Sequence, residues 1–348
     1  MIRKAHILVV VVLVAAACGT DPDPTSPLAL SFGPFELKPS QERTDLCVST
    51  TLHNDQPIYV NSVEMTTATG VHHSNWFWVP EHQFDGPDGA WTCGDRGFDT
   101  AAAALFGGVL FAQSTQATHE VQAFPAGAAI KIAPHARIVG NIHMLNATDM
   151  KLSIPLALTV QPIAVADATT VLAGFAVENE SIAIPPLNTS RFTVECDLSQ
   201  TWQNLYQLEE VSSDHIDFKI YHALPHYHAL GTAMTFEAIR DSDGGSDMIW
   251  STDQRIGDKL GGTLDPPFDL TGHSKIRMSC TFENPRTVSV GWGNGDQEMC
   301  IMFAFSNSTY TWNAGVLSTS DPGPSVTNNG IIDFTAPACN VITADAQH

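Results

Sequence analysis

From Leu28 onward almost every apolar segment is short. Runs rich in Val, Ile, Thr and Phe, such as Cys47-Val-Ser-Thr-Thr-Leu52, Ala129-Ile-Lys-Ile132, Arg191-Phe-Thr-Val-Glu195 and Val288-Ser-Val290, alternate with clusters of Gly, Pro, Asn and Asp. β-Branched and aromatic residues suit a pleated, half-buried surface, and the punctuating residues suit turns. Only Thr100 to Phe106 and Ser199 to Glu210 carry a helical pattern. The expected fold class is all-β, built as sandwiches or jelly rolls. A chain of 348 residues exceeds what one core usually organises, which predicts two tandem β-sandwich domains. A proline inside a strand-like run marks an edge or an exit, so Val160-Gln-Pro-Ile163 places the boundary between 28–163 and 164–348.

The N-terminus has Arg3 and Lys4, an apolar run from Ile7 to Ala17, and then Cys18. Residues 1–17 read as an export signal, too short to be a spanning helix. Ala15-Ala16-Ala17 before Cys18 resembles the lipobox of bacterial lipoproteins, in which the cysteine becomes the lipidated first residue. Ala15 stands where that motif usually has leucine, which leaves cleavage without lipidation open. Residues 18–27, with three prolines, read as an extended tether. The expectation is an exported protein, held by its lipid at the outer membrane or periplasmic face, or else secreted.

Lys and Arg total 16 against 37 Asp and Glu, a formal net charge of -21. Such a surface repels phosphate backbones and anionic lipid, so nucleic acid is not an expected partner, and the lipid anchor is the only expected membrane contact. A monomer is the expected state. Apart from Cys18 the chain carries Cys47, Cys93, Cys196, Cys280, Cys300 and Cys339. An even count in an exported chain favours three disulfides, and the absence of any C-x-x-C spacing disfavours zinc ribbons and redox dithiols.

Three of the histidine groupings stand out. They are His72-His73, His143 within Gly140-Asn-Ile-His-Met144, and His226-Tyr227-His228 followed by Ala-Leu-Gly231. Residues i and i+2 of a strand share a face, so His226 and His228 can reach one metal without distorting the backbone. Adjacent His72 and His73 would face opposite ways on a regular strand, and joint ligation needs a bulge or strand end there. With 14 histidines in the chain, some clustering is expected by chance. His143 alone reads as readily as a satisfied core residue, and Met299 alone as a core methionine.

The order of these groupings, taken together with Glu298-Met299-Cys300, changes that balance. The chain resembles the copper type II ascorbate-dependent monooxygenases, the family that contains peptidylglycine α-hydroxylating monooxygenase and dopamine β-hydroxylase. The likeness rests on Cys-x-Ser at Cys47, Val-His-His at 71–73, His143 after a strand, His-x-His with Leu-Gly at 226–231, and Glu-Met-Cys at 298–300. It implies two coppers per chain, one on each domain, with ascorbate as reductant. His72, His73 and His143 would bind the electron-supplying ion, and His226, His228 and Met299 the ion at which O2 and a small-molecule or peptide substrate react. A solvent-filled cleft would separate them. Imidazole suits both copper oxidation states, and a thioether favours Cu(I). The resemblance also implies disulfides Cys280–Cys300 and Cys196–Cys339. Cys47 and Cys93 then remain to pair, which departs from the family, where the matching cysteines have other partners.

Substrate recognition departs as well. Peptide-hydroxylating members carry an arginine two residues before His-x-His and a tyrosine four beyond the methionine, where this chain has Leu224 and Phe303. Losing that charge-assisted anchor argues against C-terminal glycine peptides and suggests an uncharged or aromatic substrate. His222 reads as a surface residue, with a supporting role beside the metal as the other option. Two rival readings are a non-catalytic copper- or carbohydrate-binding surface lipoprotein of the same fold, and a zinc hydrolase using His226, His228 and Asp296 or Glu298.

Overall fold

A computed structural model describes residues 25–113, 116–257, 260–293, 295–317 and 321–346. The export signal and Cys18 lie outside these residues. The fold is all-β. A long sheet runs in the order Leu28–Leu37, Leu152–Ile163, Ile58–Thr67, Ala128–Ile132, Thr170–Asn179, Ile301–Ser306, Lys219–His226, Gly262–Asp269. A five-stranded sheet covers its first part and a six-stranded sheet its second, making two sandwiches that share one continuous sheet. The join is a short parallel ladder, Thr170 to Leu172 against Ala128 to Ile130. Thr263 adds a hydrogen bond from its hydroxyl to the carbonyl of Ala123, 2.6 Å away.

Period-two patterning builds both cores. In Leu152–Ile163 the buried side chains are Ile154, Leu156, Leu158, Val160 and Pro162, with Ser153 and Pro155 exposed. The first four meet Leu46, Val48, Trp76, Ile138 and Ile142 of the five-stranded sheet. The second core packs Phe192, Val194, Phe236 and Phe282 of the six-stranded sheet against Phe175, Val177, Met302 and Trp312. The five-stranded sheet is buried on its other face too. There Cys47, Phe77, Val79 and Val139 lie against Phe84, Trp91 and the helix Thr100–Phe106. Asp99 caps that helix by accepting the amide of Ala102 at 2.8 Å.

The expected helix at Ser199 to Glu210 is present as Ser199–Gln207. Val288-Ser-Val290 is not a strand as a whole: Val288 is exposed and only Val290–Gly291 pairs, with Ala183–Ile184. Pro162 sits at a register slip near the end of an internal strand, where the chain leaves the first core. Cys47–Cys93, Cys196–Cys339 and Cys280–Cys300 are all disulfides. Three such bonds belong to an oxidising compartment, and each typically contributes roughly 2 to 4 kcal/mol. No helix among the described residues is long and apolar enough to cross a membrane.

Candidate metal centre

The strands Val71–Pro80 and Ala136–Leu145 pair so that Val71 faces Met144 and His73 faces His143, with a slip in between. His72 is therefore the extra residue of a β-bulge. An extra residue re-aims its side chain, which is how two adjacent histidines reach one place. On the other half, the strand Lys219–His226 ends at His226, paired with Ile301. His228 lies beyond the strand, so the shared-face argument does not place it. A turn does: Tyr227 buries its ring, donates its hydroxyl to the carbonyl of Gln254, and packs on Gly231, where any Cβ would overlap the ring.

All five imidazoles converge. Ring centroids are 5.4 Å apart for His72 and His73, 4.7 Å for His72 and His143, and 5.0 Å for His73 and His143. His226 and His228 are 5.3 Å apart. The two sets touch, at 4.9 Å between His72 and His228 and 5.1 Å between His73 and His226. This corrects the expectation of separate sites across a solvent-filled cleft. The five side chains are 3 to 8% exposed and form one cluster on the seam between the halves. Gly295 of the second half lies against the Glu42 carboxylate of the first, with room for a Cβ only 3.1 Å from its oxygen.

Neighbours fix which nitrogen His143 and His228 offer. Gln116 approaches Nδ1 of His72 at 2.7 Å, and Nδ1 of His228 lies 2.8 Å from the carbonyl of Gln297. Both leave Nε2 buried with no hydrogen-bond partner. His143 engages Glu42 through Nε2 at 2.8 Å and turns Nδ1 toward Nε2 of His73, 3.2 Å away. Within His72, His73 and His143, and within His73, His226 and His228, one nitrogen per ring lies within 4.8 Å of the others. A buried, unpartnered imidazole nitrogen is costly unless something binds it. The rings therefore fit a soft or borderline cation, and an anion-poor one, since neither triad includes a carboxylate.

Burial keeps four of these rings neutral. It drives His72 down to about 3 and His73, His143 and His228 below the usual histidine range, with Glu42 partly offsetting the effect at His143. Neutral imidazole is the ligating form. Glu298 is a buried acid beside them. Its oxygens accept the amides of His228 at 2.8 Å and Leu230 at 2.7 Å, and the amide of Met299 also bonds to it. Burial nonetheless raises it to about 7. Occupied in this way, Glu298 is a clamp on the His-x-His turn. Asp296 points to solvent, 94% exposed, so the zinc-hydrolase reading lacks its carboxylate ligand.

Met299 is half-buried and immobilised on both sides. Glu298 precedes it in a loop closed by the Gly291, Gly293 and Glu298 backbone. Cys300 follows, bridged to Cys280 and accepting the Asn179 amide at 2.9 Å. His222 is not on the surface: it is fully buried beside Phe124 and Phe305. Leu224 is buried opposite Phe303, which lines a cavity of about 510 Å³ with Ile301, Phe77, Val109, Phe175 and Glu178. Sequence reasoning missed Glu42, Gln116 and Gln297. Glu298 was visible as part of Glu298-Met299-Cys300 and as a rival zinc ligand but not as a clamp on the turn, and no spacing signal identifies the other three.

No family model and no curated protein matches the chain. Among solved structures it is similar to PNGase F, a glycosylasparaginase from Flavobacterium meningosepticum, at 9% identity. That alignment covers 90% of this chain and 99% of the other, with a TM-score of 0.34. It is also similar to the triple jelly roll protein of an archaeal virus at 11% identity, covering 78% and 58% with a TM-score of 0.22. A third is the PBSX exported protein XepA at 9%, covering 80% and 86% with a TM-score of 0.21. Likenesses this remote say nothing about the chemistry of the histidine cluster.

Proposed function

We propose that this chain is a copper-dependent monooxygenase that hydroxylates a C-H bond with O2 and ascorbate or another one-electron reductant. The observation that carries the reading is the donor set: five buried imidazoles without a carboxylate in either triad, two of them with an unpartnered Nε2. His72, His73 and His143 would hold the electron-supplying copper, and His226, His228 and Met299 the copper at which substrate is oxidised. Copper supplies the one-electron chemistry and O2 activation; the protein positions the ligands, orients their tautomers and excludes water. Gln297 and Glu42 set which nitrogens of His228 and His143 face the metal. The apolar cavity walls at Ile301 and Phe303, the former paired with His226, suit an uncharged or aromatic substrate.

The test is X-ray absorption of copper-loaded, ascorbate-reduced protein together with ascorbate-dependent oxygen uptake. Wild type should show a sulfur scatterer that Met299→Ile removes, with uptake lost at least tenfold while copper stays bound. Unchanged uptake in Met299→Ile would remove the methionine from the reacting site. Zinc retained in preference to copper would instead leave a non-catalytic binding lipoprotein of this fold. The same reading makes Cys18 the lipid anchor, and labelled fatty acid should be incorporated by the full chain and not by Cys18→Ser.

A further inference from the structure

We infer that His53, His82 and His135 form a second metal site, for a borderline divalent cation such as zinc or copper(II), at the end of the first sandwich opposite the buried cluster. The placement comes from three strands of the five-stranded sheet. Glu42–Thr51, Ala136–Leu145 and Val71–Pro80 lie side by side, with Ala136–Leu145 in the middle. One end of this trio carries Glu42, His143 and the pair His72-His73. Just beyond its other end, each strand leads into one exposed histidine: His53, His135 and His82. Strands of ten residues, rising about 3.3 Å per residue, set the two ends about 30 Å apart, so the second site is separate from the first.

Backbone hydrogen bonds tie the three histidine-bearing segments to one another. Leu52 donates its amide to the carbonyl of Ala136 at 2.9 Å, His135 to Asn54 at 2.7 Å, and Glu81 to His135 at 2.8 Å. The Asn54 side chain braces the same place: its Nδ2 donates to the carbonyl of Ala133 at 2.9 Å, and its Oδ1 accepts the amide of Ala136 at 3.1 Å. His53 and His82 are thus each one residue away, along the chain, from a residue bonded to His135. In the metal-free arrangement the three sets of ring nitrogens are not all within 4.8 Å of one another. Exposed imidazoles rotate about two side-chain bonds between staggered wells, so gathering them on one ion needs no backbone movement. Imidazole selects zinc or copper over calcium or magnesium, which take oxygen donors. The exposed carboxylates of Asp55 and Glu81 flank the histidines and favour a cation there. Three protein ligands leave a position for water, which suits an open site that captures and exchanges its ion.

Carbethoxylation of the full-length protein by diethyl pyrocarbonate, with and without zinc and read peptide by peptide in a mass spectrometer, tests this. The cluster histidines are 3 to 8% exposed and should react little in either case. Zinc should suppress modification of His53, His82 and His135 together, while His119 and His215, exposed elsewhere, go on reacting. Protection of fewer than all three would overturn the shared site, as would equal modification of every exposed histidine with and without the metal. Zinc competition against a chromophoric chelator supplies a second reading. His135→Asn, which suits the left-handed backbone at φ 54°, should weaken one zinc equivalent by about 10- to 100-fold, and His119→Asn should leave every equivalent unchanged. Wild-type zinc affinity in His135→Asn would also overturn the site. The inference stands apart from the copper reading, and its failure leaves the reading of the buried cluster untouched.

Discussion

Glu298→Leu is expected to destabilise the protein by about 3 to 5 kcal/mol and to weaken metal binding at the His-x-His turn by 10- to 100-fold. The carboxylate accepts amides from both His228 and Leu230, with Met299 adding a third, all in a site 1% exposed. Leucine fills the volume and orphans every one of those donors. A hydrogen bond to a charged group contributes about 1.5 to 3 kcal/mol, and a stranded buried amide costs a comparable amount. Glu298→Gln keeps one acceptor oxygen and should lose roughly half as much. Denaturant midpoints at unchanged slope measure the first effect, and copper competition measures the second. Lost stability with native affinity would make Glu298 a brace for the fold alone, with no part in setting His228.

Acidification should unfold the metal-free protein well above the pH at which its surface carboxylates titrate. The sign follows from the histidines. A histidine whose folded pKa is depressed binds fewer protons folded than unfolded, so its contribution is complete above the unfolded value and is lost as pH falls below it. For His72 the window runs from about 6.5 down to about 3. At pH 5 the 1.5-unit gap below the unfolded value costs about 2 kcal/mol from His72 alone. His73, His143 and His228 act in the same direction. Glu298 opposes them: its raised pKa means the folded state holds a proton the unfolded state has lost, so it favours the fold toward lower pH. Four groups against one leave a net loss. Thermal melts from pH 8 to 4 should show a steep fall beginning near 6.5, abolished by saturating Cu(I), which holds the rings deprotonated. A flat profile down to pH 5 would mean that the rings charge readily in the folded state.

The parts of this structure that sequence disclosed are those governed by local pattern. The helical patterns at Thr100 to Phe106 and from Ser199 onward are visible in the residues themselves, and both are helices. So is the requirement for a bulge at His72, because two adjacent histidines cannot otherwise share a target, and the register slip lies there. Val288 misled because a Val-x-Val triplet looks pleated whether or not a partner strand is beside it. His228 is brought inward by the Tyr227 and Gly231 contact, which no two-residue period encodes. The meeting of the two histidine sets depends on how the sandwiches share a sheet. That arrangement rests on a three-residue parallel ladder between distant segments, with nothing in its composition to announce it.

The shared sheet also dictates an order of assembly. Leu172 and Phe305 belong to the first core, and the ring of Phe305 stands 5.1 Å from that of Phe124. A chain threading into an oxidising compartment from its N-terminus can close Cys47–Cys93 early, with only 46 residues of separation. It cannot complete the first sandwich until some 300 residues have emerged, and Cys196–Cys339 spans another 143. Until then an apolar sheet face stands open, the condition under which nascent β proteins aggregate. Completion of the first core thus comes late in export, and a chain arrested before Phe305 arrives lacks both that residue and the strand Ile301–Ser306 against which Lys219–His226 pairs.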